Sequence, residues 1–159
     1  MGLPGENRAA FTLIELLVTM AILGVMATIV VIQFTGVQGS GRDAKRKSEL
    51  KQFQNAIEVF GNTNDTLYPA RNGQVDADSL CGNPLLATDC PVDPLDGTAG
   101  YGYFYRSNGT AGINDATAYV LYTRLERPNP VEYFVLCSTG RSGTTTTVPN
   151  SSACPAGLN

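Results

Sequence analysis

The polarity of the chain changes sharply near its amino terminus. Residues 1–10 are polar, whereas residues 11–34 (FTLIELLVTMAILGVMATIVVIQF) contain a single charged side chain, Glu15. An α-helix rises about 1.5 Å per residue, so about 20 apolar residues are needed to cross the hydrocarbon of a bilayer. The pattern therefore predicts a transmembrane helix over residues 11–34, preceded by a short polar segment.

A second helical pattern follows a glycine-rich patch. Its apolar residues recur in steps of three, four and three, at Leu50, Phe53, Ile57 and Phe60. That spacing places them on one stripe of an amphipathic helix, which we predict over residues 35–61 as a continuation of the apolar helix. The charged side chains between the stripe positions are predicted to lie on the solvent side of this helix: Lys45, Arg46, Lys47, Glu49 and Lys51.

Beyond residue 61 the sequence is dominated by Gly, Pro, Asn, Asp and Thr. Three runs rich in aromatic and β-branched residues are typical of strands: 101–106 (YGYFYR), 118–125 (AYVLYTRL) and 132–136 (EYFVL). We predict a β-rich domain over residues 62–159, with an antiparallel sheet of three or four strands packed on the helical stripe. The threonine-rich tail from Ser138 is expected to be a loop. The predicted fold class is α+β.

Composition weighs against two classes of function. The chain has a formal net charge of −3, so no overall positive field is present to attract nucleic acid. It contains no histidine, which is the commonest general base and the commonest metal ligand in proteins. Any catalysis would depend on a carboxylate pair or a Ser/Lys arrangement. We therefore expect that the chain is not an enzyme.

The cysteines indicate the compartment. All of them lie in the second half of the chain, at Cys81, Cys90, Cys137 and Cys154. An even number of cysteines beside a membrane-targeting segment indicates disulfides and an oxidising compartment. Three pairings are possible, and we favour the sequence-adjacent one because each pair then closes a short loop rich in Pro, Gly or Ser.

Glu15 is chemically unusual for its surroundings. A carboxylate inside an apolar segment costs a few kcal/mol in lipid. Either Glu15 lies at the helix end and reaches interfacial water, or it has a partner. Cleavage between Ala10 and Phe11 would create an α-amino cation at the start of the same helix, and Glu15 of a neighbouring copy could neutralise that cation.

Residues 10–18 (AFTLIELLV) resemble the processing motif of type IV prepilins and type II secretion pseudopilins. The resemblance implies that a peptidase removes the leader 1–10 by cutting between Ala10 and Phe11, that Phe11 is then N-methylated, and that Glu15 supports subunit assembly. Ala10 departs from the glycine usual before the cut, and the apolar helix lacks the proline that many members carry. The implied fold is type IV pilin-like: a long N-terminal helix, half transmembrane and half amphipathic, on a small antiparallel sheet with disulfide-closed loops.

The same resemblance implies a location and partners. The chain would be a single-pass protein of the inner membrane, with residues 62–159 outside the cytoplasm and a filament formed after assembly. Its partners would be copies of itself, the prepilin peptidase/methyltransferase, the inner-membrane assembly platform, minor pilins or pseudopilins, and the lipid bilayer. No nucleic acid is expected. The basic run 42–51 conflicts with this orientation, because positive residues flanking a span usually face the cytoplasm.

A finer resemblance concerns the soluble part of the chain. Residues 42–69 and 91–94 are similar to the periplasmic domain of major pseudopilins, which favours a type II secretion subunit over a true type IV pilin. It also implies a calcium-binding loop, with Asp93 and Asp96 as candidate ligands and Asp89 or Asp115 as further ones. Turn-forming aspartates explain the same pattern, and no EF-hand spacing is present. A signal-anchored extracytoplasmic enzyme and an anchored binding module remain alternatives.

Overall fold

A computed structural model describes residues 11–82, 90–127 and 129–158, without the side chains of residues 30–36. The chain forms two compact units, Met1–Gln38 and Gly39–Asn159. One α-helix, α1 (Leu13–Thr63), begins in the first unit and ends in the second. The predicted leader, residues 1–10, lies outside the described residues.

In the first unit, the side chains of α1 that the structure describes are exposed. The apolar side chains described between Leu13 and Ile29 range from 48% exposed at Val18 to 83% at Leu13. Within the part of the chain that the structure describes, no helix has an apolar stretch long enough to cross a membrane. The predicted span 11–34 extends into residues 30–36, whose side chains lie outside the description, so the span stays a prediction.

The second unit contains a five-stranded antiparallel sheet in the order β1-β2-β3-β4-β5. Its strands are β1 (Val75–Asp76), β2 (Tyr103–Ser107), β3 (Tyr119–Arg124), β4 (Tyr133–Cys137) and β5 (Ser142–Thr145). A short 3-10 helix, Ala77–Leu80, follows β1. The ends of the three central strands agree with those of the predicted aromatic runs to within two residues. The α+β prediction is confirmed.

The strand count differs from the prediction at both edges of the sheet. The two-residue strand β1 is too short to show any periodicity. The prediction of a loop from Ser138 onward is wrong over Ser142–Thr145, which forms β5 and pairs with β4 through Val135↔Gly143 and Leu136↔Ser142. The edge of β4 offers unpaired backbone groups, and a segment of mixed strand propensity pairs there, with Gly143 beside the β-branched Thr144 and Thr145.

The core lies between α1 and one face of the sheet. The helix contributes Leu50, Phe53 and Ile57, none of which is more than 2% exposed. They pack in one cluster with side chains of the inner face of the sheet, including Tyr105 and Leu121. The predicted stripe is confirmed at these three positions, whereas Phe60 is only half-buried.

The opposite face of the sheet is also covered. Successive side chains of a strand point to opposite faces, and in β3 both sets are buried. On this outer face, Val120, Tyr122 and Val135 form a second cluster against Cys154 and Leu158 of the carboxyl-terminal tail. The tail therefore covers the outer face of the sheet.

Two disulfides close loops of the second unit. Cys81 pairs with Cys90, with 6.3 Å between their Cα atoms, and Cys137 pairs with Cys154 at 5.6 Å. This is the sequence-adjacent pairing that the sequence favoured. The first disulfide joins the end of the 3-10 helix to the segment before β2, and the second joins the end of β4 to the tail.

Candidate functional site

The amino-terminal end of α1 carries the residues predicted for processing and assembly. Phe11 and Thr12 precede the first helical residue, and Phe11 is 79% exposed. The Thr12 hydroxyl accepts a hydrogen bond from the Glu15 N–H at 3.3 Å, and the Thr12 carbonyl accepts one from the Leu16 N–H. Thr12 is therefore the N-cap of α1. Ala10, the other side of the predicted cleavage point, lies outside the described residues.

Glu15 lies in the first turn of α1, and its side chain is exposed. Unpaired N–H groups give a helix N-terminus a partial positive charge, which stabilises a carboxylate in the first turn. Thr12 and Glu15 also have the T-x-x-E spacing of a capping box. The start of α1 therefore stabilises the Glu15 carboxylate within one copy of the chain, without a partner from another copy.

A second group of functional interest is a charge cluster, formed by Arg42, Asp43, Arg46, Asp93 and Glu126. Arg46, predicted to face solvent, is completely buried, so that prediction is wrong. Its guanidinium donates from Nε and Nη2 to the two carboxylate oxygens of Asp93, at 2.7 and 2.9 Å. Nη1 donates to Asp43 at 2.9 Å and to Glu126 at 2.6 Å. Hydrogen-bonded counter-charges make this burial possible.

Asp43 joins the cluster to the segment after β3. Besides accepting a hydrogen bond from Arg46, its carboxylate accepts the backbone N–H groups of Glu126 and Arg127, at 2.8 and 2.9 Å. Arg42 donates from Nε to the same Glu126 carboxylate at 2.7 Å. The cluster therefore holds three separate parts of the chain together: α1, the segment before β2 and the segment after β3.

The helical period was the signal that could have located Arg46. It lies four residues before Leu50, so the buried series runs Arg46, Leu50, Phe53 and Ile57 in steps of four, three and four. That spacing puts the arginine on the apolar stripe itself. Arg46 was wrongly predicted to face solvent because it is a charged residue within a basic run.

Neighbouring charges shift the pKa values of three groups in the cluster, Arg42, Arg46 and Glu126. Hydrogen bonds from Arg42, opposed by partial burial and reinforced by Arg46, lower the pKa of Glu126 from 4.5 to about 2. Burial disfavours the charged form of Arg46, but the hydrogen bonds to Asp93 and Glu126 outweigh it and raise the pKa of the guanidinium. Glu126 and Arg46 therefore stay ionised through the neutral pH range.

We predict a specific effect of the Glu126→Gln substitution on acid stability. A carboxylate whose folded pKa lies below its unfolded value stabilises the fold above pH 4.5 and loses that contribution as the pH falls toward 2. The wild-type free energy of unfolding should therefore decrease between pH 4.5 and 2, and the variant should show a flatter decrease in urea titrations at several pH values. If the free energy of unfolding decreased equally with falling pH in the two proteins, Glu126 would not be the source of this pH dependence.

The candidate calcium ligands are engaged in other contacts or remain undescribed. Both oxygens of Asp93 bind Arg46, and Oδ1 also accepts the Leu95 N–H at 2.7 Å. Asp115 accepts the Thr110 N–H within a turn, and Asp96 is exposed. Asp89 lies outside the described residues. Calcium takes about six to eight oxygen ligands, and the described residues contain no group of three or more His, Cys, Asp or Glu side chains that could hold a metal. Asp93, Asp96 and Asp115, the described candidates, therefore do not form a cluster that fits the ion.

The amino-terminal region matches a known family description. The family model of the prokaryotic N-terminal methylation motif matches residues 6–31. The chain carries the prepilin-type cleavage and methylation motif. Its match covers the capped start of α1, including Phe11 and Glu15. No curated protein and no solved structure matches the chain.

The prepilin motif and the fold agree. The motif belongs to structural filament subunits that are processed by a prepilin peptidase, and it supports a type IV pilin-like prepilin subunit. The amino-terminal helix packs on an antiparallel sheet with two disulfides, which is consistent with a type IV pilin-like α+β fold. The motif also suggests a membrane-anchored amino terminus for this chain.

One further pattern in the sequence bears on the alternative that the chain is an enzyme. Ser48 and Lys51 have the S-x-x-K spacing of a nucleophile motif on α1. Both residues are exposed on the helix surface. Neither lines the cavity of about 270 Å³ that lies between the 3-10 helix and the segment before β2. The spacing alone therefore does not form a catalytic site.

Proposed function

We propose that this chain is a prepilin and a structural subunit of a type IV-like filament, cut between Ala10 and Phe11 and N-methylated on Phe11. The methylation motif over residues 6–31 is the observation that carries the proposal. The exposed apolar side chains of α1 support it, because such a surface needs lipid or other apolar helices around it. The subunit acts mechanically, and its apolar helix passes from the bilayer into the filament.

Glu15 makes that passage selective for processed subunits. Removal of the leader frees the α-amino group of Phe11 as a cation beside an apolar surface. The Glu15 carboxylate of the next copy neutralises this cation. The attraction between the two charges offsets the hydration that each loses on burial. An unprocessed chain lacks that cation, so it offers Glu15 of a neighbour nothing to pair with.

The orientation that we propose places residues 62–159 outside the cytoplasm, with α1 anchored once in the inner membrane. The disulfides support an oxidising compartment. In the folded domain, Arg42 and Arg46 are neutralised by carboxylates of the charge cluster. The basic run 42–51 therefore presents less positive charge than its sequence implies, which also weakens the case for nucleic-acid binding.

At a finer level, we propose a major-pseudopilin-like subunit of a type II secretion system, with a true type IV pilin as the alternative. The resemblance of residues 42–69 and 91–94 to major pseudopilins supports this choice. The implied partners are the peptidase/methyltransferase, the inner-membrane platform and minor pseudopilins. Neighbouring genes for a secretion ATPase and an outer-membrane channel would agree with it, whereas a retraction ATPase gene would favour the pilin.

We predict that the mature protein begins at methylated Phe11. Intact mass and amino-terminal sequencing of the chain purified from its native membrane should show loss of residues 1–10 and the added mass of one methyl group. The matched control is Ala10→Gly, which restores the residue usual before the cut and should be processed at least as fast. A native chain that retains its first ten residues contradicts the proposal.

A further inference from the structure

The loop 90–102, which precedes β2, contains no helix or strand and yet is fastened to α1 at two points. Near its start, the buried carboxylate of Asp93 binds Arg46 through both oxygens. Near its end, the ring centroid of Tyr101 lies 4.8 Å from the guanidinium carbon of Arg46 and 4.9 Å from that of Arg124. Arg46 therefore contacts both ends of the same loop.

A buried carboxylate needs a counter-charge, because an isolated ion is costly to remove from water. A protein can supply that charge with a bound metal ion or with a cationic side chain. Here the side chain of Asp93 is 0% exposed, and both of its oxygens are committed to the guanidinium. The electrostatic requirement of the loop is thus met from within the chain.

Arg46 is itself held in place. Asp43 and Glu126 accept hydrogen bonds from Nη1, so donors on every nitrogen of the guanidinium are engaged by carboxylates. The planar fork of arginine matches two oxygens of a carboxylate at once, which a lysine ammonium does not do. This arrangement fixes the position of the loop as well as its charge.

We propose that Arg46 is the built-in cation of the loop 90–102 and replaces the calcium ion that the resemblance to major pseudopilins implies. The loop then stays ordered whatever the concentration of divalent cations outside the cell. The comparison with pseudopilins rests on the proposed function. The contacts of Arg46 with Asp93 and Tyr101 lie within the second unit and do not depend on that function. Residues of this loop, among them Asp96 and Tyr101, line the cavity. That part of the cavity wall should therefore keep the same conformation with and without divalent cations.

The first test uses the full-length chain in detergent micelles, with calcium, magnesium or excess EGTA as the probes. Thermal unfolding should give the same midpoint in all three conditions, and backbone amides of the loop 90–102 should show equal protection from hydrogen exchange. A higher midpoint or stronger loop protection in calcium than in magnesium would overturn the proposal. This comparison needs no variant, so it decides the question even where a substitution prevents folding.

The second test compares Arg46→Gln with the control Lys45→Gln, which removes an exposed charge from the adjacent position. The Arg46 variant should lose amide protection over the loop and have a lower unfolding midpoint, whereas the control should match the wild type. Arg46→Lys should recover only part of the protection because it keeps the charge without the fork. Unchanged protection in Arg46→Gln would overturn the proposal. None of these measurements involves processing or assembly, so failure of the proposed function would be seen separately.

Discussion

Replacing Glu15 with glutamine is expected to abolish filament assembly while leaving the chain processed and in the membrane. The substitution keeps the size of the side chain and removes its charge. The α-amino group of Phe11 in the neighbouring copy would then be transferred into an apolar environment unpaired. Breaking a buried ion pair in this way costs about 3–5 kcal/mol, which corresponds to roughly a 100-fold or greater loss of affinity for each added subunit.

The measurement is the yield of sheared or cross-linked filaments relative to membrane-bound subunit. Thr12→Ala is the matched control, because it removes the hydroxyl that caps α1 and retains the carboxylate. An N-cap substitution costs about 0.5–2 kcal/mol of helix stability, so this control should be processed and should assemble. Normal filament yield from the Glu15→Gln variant would exclude the pairing of Glu15 with the freed terminus.

Removing the disulfide between Cys137 and Cys154 is expected to release the tail from the outer face of the sheet. The two cysteines are 17 residues apart in sequence, and closing a loop of that size contributes about 3 kcal/mol to stability. The serine double variant should therefore unfold at lower urea concentration. Amides of the tail after residue 146 should exchange faster, because Cys154 and Leu158 would no longer be held against Tyr122 and Val135.

The other disulfide provides the control for location. Serines at Cys81 and Cys90 should increase exchange around the 3-10 helix and the start of the loop 90–102, and leave the tail protected. If the tail stays protected when Cys137 and Cys154 are both replaced, packing on the outer face is sufficient by itself and the disulfide is not what holds it.

Local patterns were enough to predict most of the scaffold. The stripe through Leu50, Phe53 and Ile57 follows the helical period, and the strands β2, β3 and β4 are rich in aromatic and β-branched residues. By contrast, β5 forms from serine, glycine and threonine because β4 offers it a pairing edge. No property of residues 142–145 alone indicates that partner, so the strand was predicted as a loop.

The candidate sites divide in the same way. The processing motif is a local sequence signal, and residues 10–18 were sufficient to identify it. The charge cluster is not local, because Arg46 is 47 residues from Asp93 and 80 residues from Glu126. Only the helical period indicated that Arg46 is buried. The i,i+3 spacing could have indicated its partner Asp43, but no spacing indicated Asp93 or Glu126.

These long separations also bear on how the domain reaches its native state. Contacts between residues far apart in sequence require large loops to close first, and proteins rich in such contacts fold slowly. In the proposed orientation, Arg46 lies nearer to the anchored segment than Glu126 does, so it leaves the membrane well before Glu126. The guanidinium must then remain in water until the segment after β3 arrives. We therefore expect the hydrogen bonds that bury Arg46 to be completed late in folding, after Glu126 has left the membrane.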